Sequence, residues 1–173
     1  MHPMNSGNRM VIEPVQFQPN LSQGLNVERY FTADVDNPYE LVTYEKRDCV
    51  IRDMTGAEVF ALRDFEVPTN FSQTASDILI SKYARKAGLP SSVGHETSVR
   101  QIVNRIAHTI RIAGEEFGNY FDSFESAQNF EDELIAILLT QRAASNSPVW
   151  FNCGLYHSYG IEGKGENYCW SMP

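Results

Sequence analysis

The sequence predicts a mostly α-helical domain carrying one small β-hairpin. Two observations lead there. Between residues 72 and 144, apolar residues recur at helical spacing in three stretches, each bounded by capping or breaking residues. Between residues 39 and 68, two apolar runs flank a glycine-containing turn. At 42% hydrophobic and 21% charged, the chain can bury a core.

Residues 1–28 are polar, with Pro3, Pro14 and Pro19, and read as a flexible arm. Residues 29–148 read as the helical domain. Its hairpin runs from Tyr39, Leu41, Val42 and Tyr44 through Cys49-Val50-Ile51, a turn at Met54-Thr55-Gly56-Ala57, and Val59-Phe60-Ala61-Leu62. Val67-Pro68 marks a boundary, because the residue before proline is pushed out of the helical region.

The first helix has Ser72 as cap and Ala75, Ile78, Leu79, Tyr83 and Ala87 on one face, ending at Gly88 and Pro90. The second opens on Ser98 and Gln101, spaced as a capping box. Its stripe is Val99, Ile102, Val103, Ile106, Ile110 and Ala113, and Gly114 closes it. The third starts at Ser123, carries Ala127, Phe130, Leu134, Ile137, Leu138 and Gln141, and runs to Ala144, where Asn146-Ser147-Pro148 stops it. Residues 149–173 are aromatic and glycine-rich, without a period. Of their rings, Trp150, Phe151, Tyr156, Tyr159, Tyr168 and Trp170, part is expected to form an exposed apolar patch.

Several functional classes are disfavoured. A net charge of −8 is not that of a protein that coats DNA. No apolar run suffices to span a membrane, and the N-terminus lacks a secretory signal. Cys49, Cys153 and Cys169 are an odd, widely spaced set, so a disulfide scaffold is not expected and a cytoplasmic location is. Charge is uneven. Residues 81–111 hold Lys82, Arg85, Lys86, Arg100, Arg105 and Arg111 against Glu96 alone, while residues 112–141 hold acids and no Lys or Arg. Complementary helix-surface charge is the expected meaning; a face for phosphates is the alternative.

Three chemistries are conceivable. Cys153, His157 and Cys169, with His2, His95 and His108 scattered, lack the paired short spacing of a zinc site, so no metal is expected. A Cys153–His157 thiolate pair has no orienting third group. Ser145-Asn146-Ser147 offers hydroxyls, a carboxamide and backbone N–H groups at a sharp break, which suits either an oxyanion or a helix stop.

The specific information lies in ordered motifs: Val67-Pro68-Thr69-Asn70-Phe71-Ser72-Gln73; Asp77-Ile78-Leu79 through Lys82-Tyr83 to Arg85-Lys86-Ala87-Gly88-Leu89-Pro90; Glu96-Thr97-Ser98-Val99-Arg100-Gln101; and Gln141 through Asn146-Ser147-Pro148-Val149-Trp150-Phe151-Asn152-Cys153-Gly154-Leu155. Together they resemble the N-terminal region of class II, adenosylcobalamin-dependent ribonucleotide reductases, over about Arg29 to Trp170. The resemblance implies a helical N-terminal domain that precedes a ten-stranded α/β barrel. In the family, cobalt–carbon homolysis generates a cysteine thiyl radical that abstracts the ribose 3′ hydrogen. A cysteine pair then supplies electrons, and ribonucleotides become deoxyribonucleotides for DNA synthesis.

The family's redox and thiyl cysteines have no match in these 173 residues, so no catalytic residue is assigned. The resemblance carries over one site, Ser147 beside the substrate phosphates with Asn146 as neighbour. The expected partners are a ribonucleotide, the barrel in cis or as a split chain, and a second copy in a full homodimeric enzyme; neither membrane nor direct DNA contact is expected. The chain alone is expected to be inactive and not to hold adenosylcobalamin fully. Two other readings are a stand-alone, non-catalytic helical binding module derived from this domain, and an unrelated thiol or metal enzyme using Cys153, His157 and Cys169.

Overall fold

The structure, a computed structural model, describes residues 24–117 and 120–162. The elements are a 3-10 turn (Pro38–Leu41), strands β1 (Tyr44–Arg52) and β2 (Glu58–Pro68), helix α1 (Gln73–Ile78) continuing into a π-helical turn (Leu79–Tyr83), then α2 (Val99–Glu116), α3 (Phe124–Leu139), α4 (Ser147–Asn152) and α5 (Leu155–Tyr159). The predicted mixture, mostly helix with one antiparallel hairpin, is what the chain adopts.

The hairpin turns at Asp53–Ala57, where the Asp53 carboxylate accepts from the Thr55 and Ala57 N–H groups. Gly56 there has φ 86°, which a side chain would strain. Arg47 pairs with Phe65 but Cys49 with Leu62, so Arg63 and Asp64 oppose Asp48 in a bulge. The extra residue shifts the side-chain alternation. Leu62, Phe65 and Val67 therefore all face inward with Cys49, although 62 and 65 differ in parity. Burial pushes the Cys49 thiol up to about 11, so it is a packing residue.

Ser72 caps α1 as expected, accepting from the Ala75 N–H at 3.1 Å. The expected continuation to Ala87 fails. Ala84 is already extended (ψ 135°), because Arg85 N–H donates to the Glu96 carboxylate at 2.7 Å and Arg85 C=O accepts from Glu96 N–H at 2.8 Å. These bonds draw residues 84–87 out of the helix.

The capping box of α2 is present. Gly114 does not close this helix; it lies buried within it, where a Cβ would come 2.7 Å from the Phe121 ring. The stripe buries Val99, Ile102, Val103 and Ile106, but Ile110 is 38% exposed.

Ser123 caps α3. The helix stops at Leu139 rather than Ala144. Gln141 takes φ 55°, while Arg142 N–H bonds Ile137 C=O and Gln141 N–H bonds Leu138 C=O, the pair of bonds that defines a Schellman stop.

Charge placement also differs from expectation. Glu131, Asp132 and Glu133 of α3 are buried rather than on the helix surface. Each has partners from other segments. Glu131 meets Arg111 and His108 of α2, and Asp132 meets Arg29 at 2.6 Å. Glu133 accepts from the N–H groups of Tyr30, Phe31 and Thr32, all at 2.9 Å, and from the Thr32 hydroxyl at 2.7 Å. Residues 1–23 of the expected arm lie outside the described residues. Residues 24–28 are docked: Leu25 bridges Phe121, Val27 N–H donates to Ser126 Oγ and Val27 C=O accepts from Asn129.

The Glu133 clamp sets a pH dependence. Burial opposes ionisation, but the Thr32 hydroxyl and the three N–H groups outweigh it and hold the carboxyl below the usual range. A carboxyl depressed in the folded state adds stability above its unfolded pKa, about 4.3, and loses it as pH falls further. Burial pushes neighbouring Asp132 upward, the opposite sign, so only the difference between variants isolates Glu133. Denaturant unfolding between about pH 7 and 3 should show wild type losing its advantage over Glu133→Gln on the acid side.

Candidate functional site

Asn146-Ser147-Pro148 does not stop α3; it starts α4. Asn146 is the N-cap, its side chain and its C=O both accepting from Val149 N–H, at 3.4 and 3.1 Å. Pro148 sits in the first turn, where its missing N–H costs nothing. Ser147 is exposed, and its hydroxyl lies 3.1 Å from the Tyr83 hydroxyl at the end of the π-helical turn. The expected boundary at residue 148 thus falls inside α4, whose Trp150 belongs to the hydrophobic core.

The other end of α4 is held from within. Arg105 of α2 is fully buried, its side chain 0% accessible, as is that of Glu96. Arg105 Nε donates to Glu96 Oε1 at 2.8 Å. Its Nη1 donates to Cys153 C=O at 2.6 Å, and its Nη2 to Trp150 C=O at 2.8 Å and Tyr83 C=O at 3.3 Å. One guanidinium thus satisfies late carbonyls of α4 and of the π-helical turn, groups a helix leaves without internal partners. Glu96 is saturated too, accepting from Arg85 N–H and, at 2.9 Å, from the Tyr159 hydroxyl. Burial, then the adjacent Glu96 charge, pushes the Tyr159 phenol upward, so it remains a donor.

The sequence reading missed Arg105 and Glu96 as a unit. Its one usable signal was Glu96, the single acid among the basic residues 81–111. The two charges are nine residues apart, and nothing in their spacing announces burial.

The remaining candidates are not brought together. Cys153 joins α4 to α5, and its carbonyl serves Arg105; His157 lies on α5 with its ring edge-on to Tyr156. Cys169 and His2 lie outside the described residues. His95 bonds the Glu96 C=O and His108 faces Glu131. Among the described residues no three metal-ligating side chains cluster. Of the six rings expected to form an apolar patch, Trp150 is buried at 8% and Tyr159 is half-buried, while Phe151 (44%) and Tyr156 (62%) are exposed. Tyr168 and Trp170 lie outside the described residues. No described helix is long and apolar enough to cross a membrane.

Residues 45–141 match the family model described as class II vitamin B12-dependent ribonucleotide reductase, and the chain belongs to this family, as part of its N-terminal region. It is similar to a vitamin B12-dependent ribonucleotide reductase of Agrobacterium fabrum, 36% identical over 180 aligned positions covering 86% of this chain. That of Rhodopirellula baltica is 38% identical over 149 positions, covering 85% of this chain, and that of Streptomyces clavuligerus 42% over 135, covering 77%. The chain spans about 14% of the length of each of these relatives.

Gly154 reports on how α4 is seated. It has φ 81°, and a Cβ there would lie 2.0 Å from the backbone oxygen of Arg105. Gly154→Ala should cost about 2 to 4 kcal/mol by denaturant unfolding, combining left-handed strain with a backbone clash. Gly160, at φ 65° with nothing nearby, provides the comparison: Gly160→Ala should cost only about 1 to 2 kcal/mol.

Proposed function

We propose that this chain is the N-terminal portion of an adenosylcobalamin-dependent ribonucleotide reductase, and that it supplies the turn facing the substrate phosphates. The observation that carries this is the seating of α4. Arg105 grips its C-terminal end, while Ser147, at the other end, stays exposed with its hydroxyl set by Tyr83. In this reading Ser147 contributes a hydroxyl to a phosphate oxygen. Asn146 orders the turn, since its side chain is already engaged with Val149 N–H.

The cleft beside α4 is about 480 Å³ and is lined by three cations, a poor match for a corrin, which is a broad macrocycle that needs a wide apolar face. Cofactor and thiyl chemistry therefore belong, in this proposal, to a barrel reached in cis or as a separate chain. Exposed Phe151 and Tyr156 suit contact with it. A non-catalytic binding module derived from this domain is the second reading.

In an enzyme carrying the barrel, Ser147→Ala should weaken apparent substrate affinity roughly tenfold, the low end of a charge-assisted hydrogen bond, because backbone donors remain. The melting temperature should hardly change. Unchanged affinity with a lower melting temperature would assign Ser147 a structural role only. The 173-residue chain assayed alone serves as control, with no deoxyribonucleotide expected.

A further inference from the structure

The β1–β2 hairpin changes character along its length. In the half nearer the helices its exposed positions are polar: Glu45, Lys46, Asp48, Arg63 and Asp64. Beyond the buried pair Cys49 and Leu62 that rule ends. Ile51 pairs with Phe60, on the same face as Cys49 and Leu62 but two residues further out, and Ile51 is 42% exposed. Val50 pairs with Ala61 on the other face, the first half-buried and the second exposed. Val59 is the extra residue of a second bulge, and Met54 sits in the turn; both are exposed, Met54 completely. The distal half is thus apolar on both faces. An antiparallel hairpin with one face in water alternates apolar and polar residues, whereas strands covered on both faces read as continuous apolar runs. Apolar edge strands left in water also invite unwanted pairing.

We infer that this distal half, residues 50–51 and 59–61 with Met54 at the turn, is a docking element that buries itself against the catalytic barrel. The inference rests on the reading above, in which a barrel carries the chemistry. Two observations select that occupant. Lys86 Nζ lies 5.0 Å from the centroid of the Phe60 ring, and Lys86 and Phe151 line one cleft, so the apolar surface of the hairpin adjoins the exposed ring of α4 that suits contact with the barrel. The chain also spans about 14% of the length of its relatives, so in such an enzyme most of the polypeptide is available to cover the hairpin. A lipid surface fits the tip poorly, because Arg52, Asp53 and Glu58 flank the apolar residues and their charges are costly to move into hydrocarbon. The two carboxylates would likewise repel a nucleic-acid strand.

Peroxide oxidation of Met54 to its sulfoxide, followed by peptide mass spectrometry, reads the cover directly, because a buried thioether is shielded from the oxidant. In the 173-residue chain Met54 should oxidise freely, at a rate independent of protein concentration. In an enzyme carrying the barrel it should oxidise at least about tenfold more slowly. Val59→Asp should leave the melting temperature of the 173-residue chain within about 2 °C of wild type. The same substitution in the barrel-carrying enzyme should return Met54 to within about twofold of its free rate, because an unpaired charge resists burial. An enzyme that makes deoxyribonucleotides yet oxidises Met54 as fast as the 173-residue chain overturns the hairpin inference alone, as does protection that Val59→Asp leaves intact. A barrel-carrying enzyme that makes none overturns the proposed function and this inference with it. Protection that grows in the 173-residue chain with its concentration puts a second copy on the hairpin and overturns the barrel as its occupant.

Discussion

The buried Arg105–Glu96 pair is the interaction on which the seating of α4 and α5 depends. Removing two charges from water is expensive, and their mutual attraction offsets that only when the remaining donors and acceptors are also satisfied. Here they are. The guanidinium reaches three carbonyls besides Glu96, and the carboxylate takes a backbone N–H and a phenol besides Arg105. The groups engaged come from α2, the 84–96 connection, the π-helical turn, α4 and α5. None of those short pieces would hold its position alone, since α4 has six residues and α5 five. A charge-centred network also fixes geometry more narrowly than apolar contact does, because each bond has a direction.

A second polar clamp organises the opposite edge. Glu133 gathers the N–H groups of residues 30–32, and Arg29 spans Asp132, Asn129 and the Val35 carbonyl. Both clamps use charge to fasten irregular backbone onto regular helices. Cations so employed are consumed by structure.

Regular elements were legible in the sequence because local signals decide them. The capping box at Ser98 and Gln101, the caps at Ser72 and Ser123, and the hairpin turn at Gly56 all appear where their residues predict. Long-range competitors decided what was misread. The first helix ends early because Glu96 claims Arg85, and Gly114 stays helical because Phe121 packs against it. Asn146-Ser147-Pro148 was identifiable as a break, but a helix stop and a helix start share these residues. The Schellman turn at Gln141 had already ended α3, in a residue type seldom found in left-handed backbone. Burial of Arg105, Glu96 and the α3 acids was illegible because partners separated by up to about a hundred residues leave no local pattern.

If the pair holds α4 in place, breaking it should loosen α4 and α5 while sparing the hairpin. Amide hydrogen exchange on Arg105→Met and Glu96→Gln reads this directly. The account predicts that protection at the Trp150, Cys153 and Ser158 N–H groups falls in both variants, whereas that of the β1–β2 ladder is retained. Unchanged protection in α4 and α5, or a loss spread evenly over hairpin and helices alike, would contradict it.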